Sequence, residues 1–180
     1  VTTAGKALTI RTMAETILAA VQDHYAATSP AVSLPERQYI APGSPDQIAW
    51  DCEQLVVSVT GIGWGQAPSA GQSPSPKIGA QVSATAIRHV IYDVALVRCT
   101  PTEGDPDTGL PNAADIHAAG LAYMTDMGLL SQALVVACAA VRTGLDRSAL
   151  VEPGAVNPAG PSGGFHGMSA QIMVTAGALT

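Results

Sequence analysis

Gly160-Pro-Ser162-Gly-Gly164 has the outline of GxSxG, the turn that presents a nucleophilic serine in many hydrolases. That chemistry needs a strand running into the serine and a helix leaving it, so that the hydroxyl stands exposed beside oxyanion-binding amides. Here the serine follows a proline-rich stretch and precedes a strand pattern, so a flexible loop is expected in place of an elbow. Gly61-Ile-Gly63-Trp-Gly65 has the look of a phosphate-binding loop, yet a phosphate site needs a helix N-terminus directly after the glycines. A Pro/Ser-rich stretch follows instead, and a strand end or a bulge is expected. Glu103-Gly-Asp105-Pro-Asp107 offers oxygen ligands to calcium, but the position where an EF-hand loop counted from Asp105 needs glutamate holds Ile116. A solvated turn fits better. His24, His89, His117 and His166 show no HxH, HxxxH or HExxH spacing. His89 and Asp93 share a strand face but lie about 13 Å apart along it, too far for a direct pair. No catalytic, cofactor or metal site is therefore expected. A rival reading as a small-molecule enzyme or binding protein would have to use Ser162 or His166 in a cleft.

The elements that would hold these residues are legible in the apolar spacing. Residues 10–26 place Met13, Ile17, Ala20, Val21, His24 and Tyr25 on one helical face. Ser29-Pro30 ends that run. Residues 28–53 are broken by Pro30, Pro35, Pro42 and Pro45 but carry Val32, Leu34, Tyr39, Ile40, Ile48 and Trp50, as a segment that wraps the domain and docks short extended pieces would. Residues 54–63 alternate as a half-buried strand, with Leu55, Val57 and Val59 on one face. Residues 87–99 continue the pattern, with Val90, Tyr92, Val94 and Leu96 on one face and His89, Asp93 and Ala95 on the other. Asn112 caps a helix and Asp115 lies in its first turn, close to a capping box. Ile116, Ala119, Tyr123, Met127, Leu130, Leu134, Cys138 and Val141 extend one stripe to about Arg142, with Gly120 and Gly128 marking a bend or a close contact and Gly144 a C-cap. Residues 145–164 are expected to be mostly loop, and 165–176 a last strand. The predicted fold is α+β: an antiparallel sheet of three to four strands, two helices on one face, and a long β-hairpin arm.

Bulk properties narrow the function. One hundred and eighty residues suit a single domain with a real core. Charged residues are 12%, well under the roughly 25% usual for soluble proteins. Either a subunit that buries much of itself against neighbours or a bias toward Ala, Gly and Pro would produce that. The net charge is −6 and no block of Lys or Arg exists, which excludes affinity-bearing nucleic-acid binding while allowing an acidic lining past which DNA slides. The most apolar stretch, Leu129 to Val141, is too short for a membrane span and is bounded by Asp126. Glu15 interrupts the only candidate signal-peptide core. Cys52, Cys99 and Cys138 are widely spaced and expected as reduced structural thiols.

Residues 66–86, QAPSAGQSPSPKIGAQVSATA, separate the two clearest strand patterns. Structureless loops of this length are uncommon in compact domains and usually functional or disordered. They form the tip of the predicted arm. Trp64 at its base either anchors a partner or caps the domain's own core. Trp64, Gln66, Lys77, Ile78 and Val82 are the candidate subunit interface.

Three stretches carry a family resemblance. Leu34-Pro-Glu-Arg-Gln-Tyr39 runs through a Gly/Pro segment into Asp51-Cys-Glu-Gln-Leu-Val-Val-Ser-Val59; the long-tipped hairpin follows; and an Ala-rich helix leads to Gly163-Gly-Phe-His-Gly-Met-Ser-Ala-Gln-Ile172. In layout the chain resembles tail terminator proteins of long-tailed, non-contractile phages, and head–tail connector (neck) proteins of phages of actinobacteria. The resemblance implies one tail-terminator-like domain over 1–180, with the hairpin loop at 64–86 and the wrapping segment at 28–53. It implies a homo-oligomeric ring, typically a hexamer, at the head-proximal end of the tail tube, assembled in the host cytoplasm and carried in the virion. Its partners would be its own copies, the major tail tube protein and a head-side connector or stopper protein, with DNA passing through the lumen. It implies no enzyme activity, no cofactor and no membrane.

Overall fold

The computed structural model describes residues 9–28, 32–43, 53–64, 88–101, 111–145, 147–162 and 164–176. They form α1 (Ile10–Thr28), β1 (Arg37–Pro42), β2 (Gln54–Trp64), β3 (Arg88–Cys99), α2 (Ala113–Thr143), β4 (Leu150–Pro153), β5 (Asn157–Ser162) and β6 (Phe165–Ala176). The fold is α+β, with two helices as expected. The sheet is larger than expected and mixed: six strands in the order β1-β2-β3-β6-β4, with β5 also pairing β6. β1 runs parallel to β2, and every other pairing is antiparallel. The extra strands lie where prolines and short length hide the alternation. β1 sits inside the proline-broken wrapping segment, and β4 and β5 occupy the stretch 145–164 expected as loop.

The three central strands are rich in β-branched and aromatic residues and pair in register, so the core is built in cross-strand rows. Leu55 opposes Leu96, which opposes Met168; Val57 opposes Val94, which opposes Ala170; Tyr92 opposes Ile172 and Val90 opposes Val174. Both helices pack on the face these rows present, α1 through Met13, Ala14, Ile17, Val21 and Tyr25, α2 through Leu130, Ala133, Leu134, Ala137 and Val141. Two buried phenols fasten the layers. The Tyr25 hydroxyl donates to the Asp126 carbonyl at 3.2 Å and the Tyr92 hydroxyl to the Ile10 carbonyl at 3.0 Å. Burial raises both phenols above their ordinary range, and for Tyr25 the nearby Asp126 charge adds to the effect.

The helix ends follow the sequence. Thr9 Oγ1 accepts from the Thr12 amide at the start of α1. Asn112 Oδ1 accepts from the Ala114 amide at 2.9 Å at the start of α2. Gly144 is the C-cap of α2, in right-handed backbone geometry. Gly120 and Gly128 make no close contact within the described chain, since nothing lies within 4 Å of a Cβ placed at either. Ile116, expected on the buried stripe, is 51% exposed because the first turns of α2 run past the sheet. By length and composition α2 as a whole is sufficient to cross a membrane, which the reading of its shorter apolar core missed; its inner face is occupied by α1 and the sheet.

The strands are buried more completely than a half-buried reading allows. On the face away from the helices Val56, Ser58, His89, Ile91, Asp93, Ala95 and Val97 are also buried. β2 runs through Gly61 and Gly63 to Trp64, with a register shift between Val59 and Gly61, as the expectation of a strand end or bulge required. Gly63 opposes His89, and a Cβ at Gly63 would collide with the buried imidazole. Gly63→Ala is therefore expected to lower unfolding free energy by about 1–3 kcal/mol, and this loss is expected to disappear in a His89→Ala background. Denaturant titration of the four proteins checks it, since simple additivity of the two substitutions removes the collision as the cause.

Candidate functional site

The hairpin closes as expected. β2 and β3 pair antiparallel to their ends, where Trp64 opposes Arg88. Among the candidate interface residues only Trp64 is described, as the last residue of β2; Gln66, Lys77, Ile78 and Val82 lie outside the described residues, as do the Glu103–Asp107 turn and Cys52. The GxSxG motif is not an elbow, and the loop expected there is also a correction. Asn157–Ser162 is strand β5, and Ser162 pairs with Phe165 of β6 across a tight turn in which Gly164 holds a positive φ of 84°. Strand follows strand, so no helix N-terminus backs the serine. Of the two thiols described, Cys99 is exposed and Cys138 is buried; neither is in a disulfide, and burial pushes Cys138 up to about 11.

The polar centre of the molecule lies at the other end of β3. Arg98 continues the helix-facing parity of Val94 and Leu96, so its side chain enters the boundary between sheet and helices. Its Nε donates to Asp126 Oδ2 at 2.9 Å and its Nη2 to Asp126 Oδ1 at 3.1 Å, a two-point contact on one carboxylate. Nη1 donates to Glu53 Oε2 at 2.9 Å and Nη2 also to the Ser33 carbonyl at 2.8 Å. Glu53 Oε1 accepts from the Cys99 amide at 3.2 Å. Burial alone would lower the Arg98 pKa, but the bonds and charges of Asp126 and then Glu53 outweigh it and the net shift is upward. Asp126 is buried within α2 and Glu53 sits at the entry to β2 with φ of 55°, a conformation that a side chain disfavours and that these two hydrogen bonds hold in place.

A cleft of about 490 Å³ opens beside this group, between the overhanging first turns of α2 and the end of the sheet. Val32, Asp115, Ala119, Ala122 and His166 line it with Arg98 and Asp126. His166 Nδ1 bonds Thr100 Oγ1 at 3.1 Å, and its ring meets Tyr123 edge-on with centroids 5.1 Å apart. Tyr123 is held by donating to the Gly167 carbonyl at 2.9 Å. Burial lowers the His166 pKa, with the opposing charges of Asp126 and Arg98 partly cancelling. Chemically the arrangement is a strut. Four of the five guanidinium donors are engaged by protein oxygens, and no three His, Cys, Asp or Glu side chains gather at metal-binding geometry among the described residues.

Sequence reasoning missed Arg98 and Asp126 as partners. The signal was available, because Arg98 shares the strand parity of Val94 and Leu96, and Asp126 lies three residues after Tyr123 and four before Leu130 on the apolar stripe of the helix. No family model matches the chain, and no curated protein matches it.

Removing one partner of a buried ion pair strands the other's charge. Arg98→Ala is expected to cost about 3–5 kcal/mol of stability, and an apolar double replacement, Arg98→Met with Asp126→Leu, much less. Chemical denaturation separates these, and equal losses in the two proteins would mean that packing rather than charge sets the cost. His89 and His166 both have folded pKa values below the ordinary 6.5. The unfolded chain then binds more protons as pH drops, so their contribution is full above about pH 6.5 and is lost as pH falls through and below it. Melting temperature is expected to decline on that acid side, and a pH series on His89→Phe should decline less steeply.

Proposed function

We propose that this chain is a structural ring subunit at the head-proximal end of a phage tail tube, where it ends tube growth and joins the tail to the head connector. The observation that carries the reading is the hairpin. Strands of 11 and 12 residues pair to their tips at Trp64 and Arg88, and the 23 residues 65–87 lie between them. A connection of two residues suffices to reverse a chain between such strands, so a segment of this length serves something other than folding. In the proposed role it is an arm laid on a neighbouring subunit. The sparse charge, the net charge of −6 and the lack of a basic block agree with subunits that pack closely around a passage for DNA. In this reading the chain is not an enzyme and takes no cofactor; its partners are its own copies in a ring, the major tail tube protein and a connector or stopper protein. A neighbouring neck position is the second reading, and the same hairpin favours it equally.

The test is assembly. Purified protein mixed with tail tubes is expected to cap tube ends in negative-stain images. A variant lacking residues 67–84 should keep its circular dichroism spectrum and fail to cap. Normal capping by the shortened variant would remove the arm from the account, and failure of the full chain to cap any tube would sink the terminator role.

A further inference from the structure

Helix α2 has a second face that the fold does not use. Leu121, Met124, Val135 and Val136 are exposed by 53%, 69%, 60% and 45%. Solvent-facing helix surfaces normally carry charge, yet from Met127 to Val141 there is not one Asp, Glu, Lys or Arg. The four side chains leave on the order of 400 Å² of apolar surface to water, the size of the largest patch on a typical monomer and often a functional one.

The pattern on this face is symmetric about Gly128. Leu121 lies seven residues before it and Val135 seven after; Met124 lies four before and Gln132 four after. Seven residues is close to two helical turns, so Leu121, Gly128 and Val135 stay on one line. At Gly128 nothing approaches within 4 Å of a Cβ position, which leaves the backbone open to close approach. We propose that this face binds the same face of a second copy, the two α2 helices crossing antiparallel on a two-fold axis at Gly128. Each Leu121 then meets the partner's Val135, and each Met124 packs on the stem of the partner's Gln132. A two-fold contact is self-complementary in this sense by necessity. Charge favours the same occupant: each copy carries −6, and two like-charged copies repel least where neither presents a charge. With the small neutral residues between, the pair buries on the order of 1,000 Å² in total, the low end for specific association, which makes it reversible. A ring contact is head-to-tail, so this pairing is a separate state, formed by the chain away from a tube, and does not rest on the proposed function.

Sedimentation over the micromolar range should show a monomer–dimer equilibrium. Leu121→Lys and Val135→Lys should each shift it to monomer without changing the melting temperature. In a background carrying Cys52→Ser and Cys99→Ser, Gly128→Cys should give a disulfide-linked dimer on mild oxidation, while Thr143→Cys at the helix end should not. A wild-type monomer at every concentration overturns the pairing. So does a dimer that survives Val135→Lys, or one that Gly128→Cys cannot link. Flotation of the wild-type chain with neutral phosphatidylcholine vesicles, lost in Val135→Lys and without dimer, would assign the face to a membrane instead. Tube capping by a chain that is monomeric in solution removes this inference alone; a dimer that never caps removes the ring role alone.

Discussion

Arg98 sits where four segments meet, and each of its bonds ties one of them down. Asp126 brings α2, Glu53 brings the start of β2, Ser33 brings the segment ahead of β1, and Arg98 itself ends β3. Apolar packing sets the layers of this fold, but it is non-directional. It does not decide how far α2 slides along the sheet or where β2 begins. A guanidinium gripping one carboxylate at two points does decide it, because both distance and plane are fixed. Two features depend on that geometry. Glu53 keeps a backbone conformation it would otherwise leave, and the first turns of α2 hang beyond the sheet over the cleft.

The long elements were legible because their periods are clean and their ends are chemically marked. Residues 165–176 form β6 with the anticipated faces, and α2 runs between the expected caps, Asn112 and Gly144. What escaped was short or proline-bearing. Leu150–Pro153 has four residues, too few to display a period, and Asn157–Ser162 has the composition of a turn; both become strands because β6 offers them an unpaired edge. The parallel partner of β2 escaped for a similar reason, since Arg37–Pro42 sits among residues that break any local pattern. These are cases where tertiary pairing overrides local preference. The site escaped differently. Arg98 and Asp126 are visible one at a time as charges at inward positions, but only the register of β3 against α2 makes them a pair. Of the anticipated interface, Trp64 alone falls on a described element.

Helix α2 carries apolar residues on two faces, of which one is buried. Its inner residues complete the core with α1 and the sheet, while Leu121, Met124, Val135 and Val136 stand outside that core and are exposed. A sequence selected only to fold would place charges there at no energetic loss. The apolar outer face and the 23-residue connection at 65–87 are separate features of the chain, the first on α2 and the second between β2 and β3 in sequence.

The outer edge of β6 is shared by β4 and β5 in succession, and those strands bring Pro153, Pro158 and Pro161 to that border. Proline has no amide hydrogen to offer a further strand. On the opposite border β1 carries a single proline, at its last residue. Among the described residues β1 pairs β2 alone, so that margin carries the fewer prolines and the fewer partners. If two copies join through their strands, the margin available to both is the same one, so β1 would lie against its counterpart on a two-fold axis and the contact would close at a pair, the proline-bearing margin keeping it from extending.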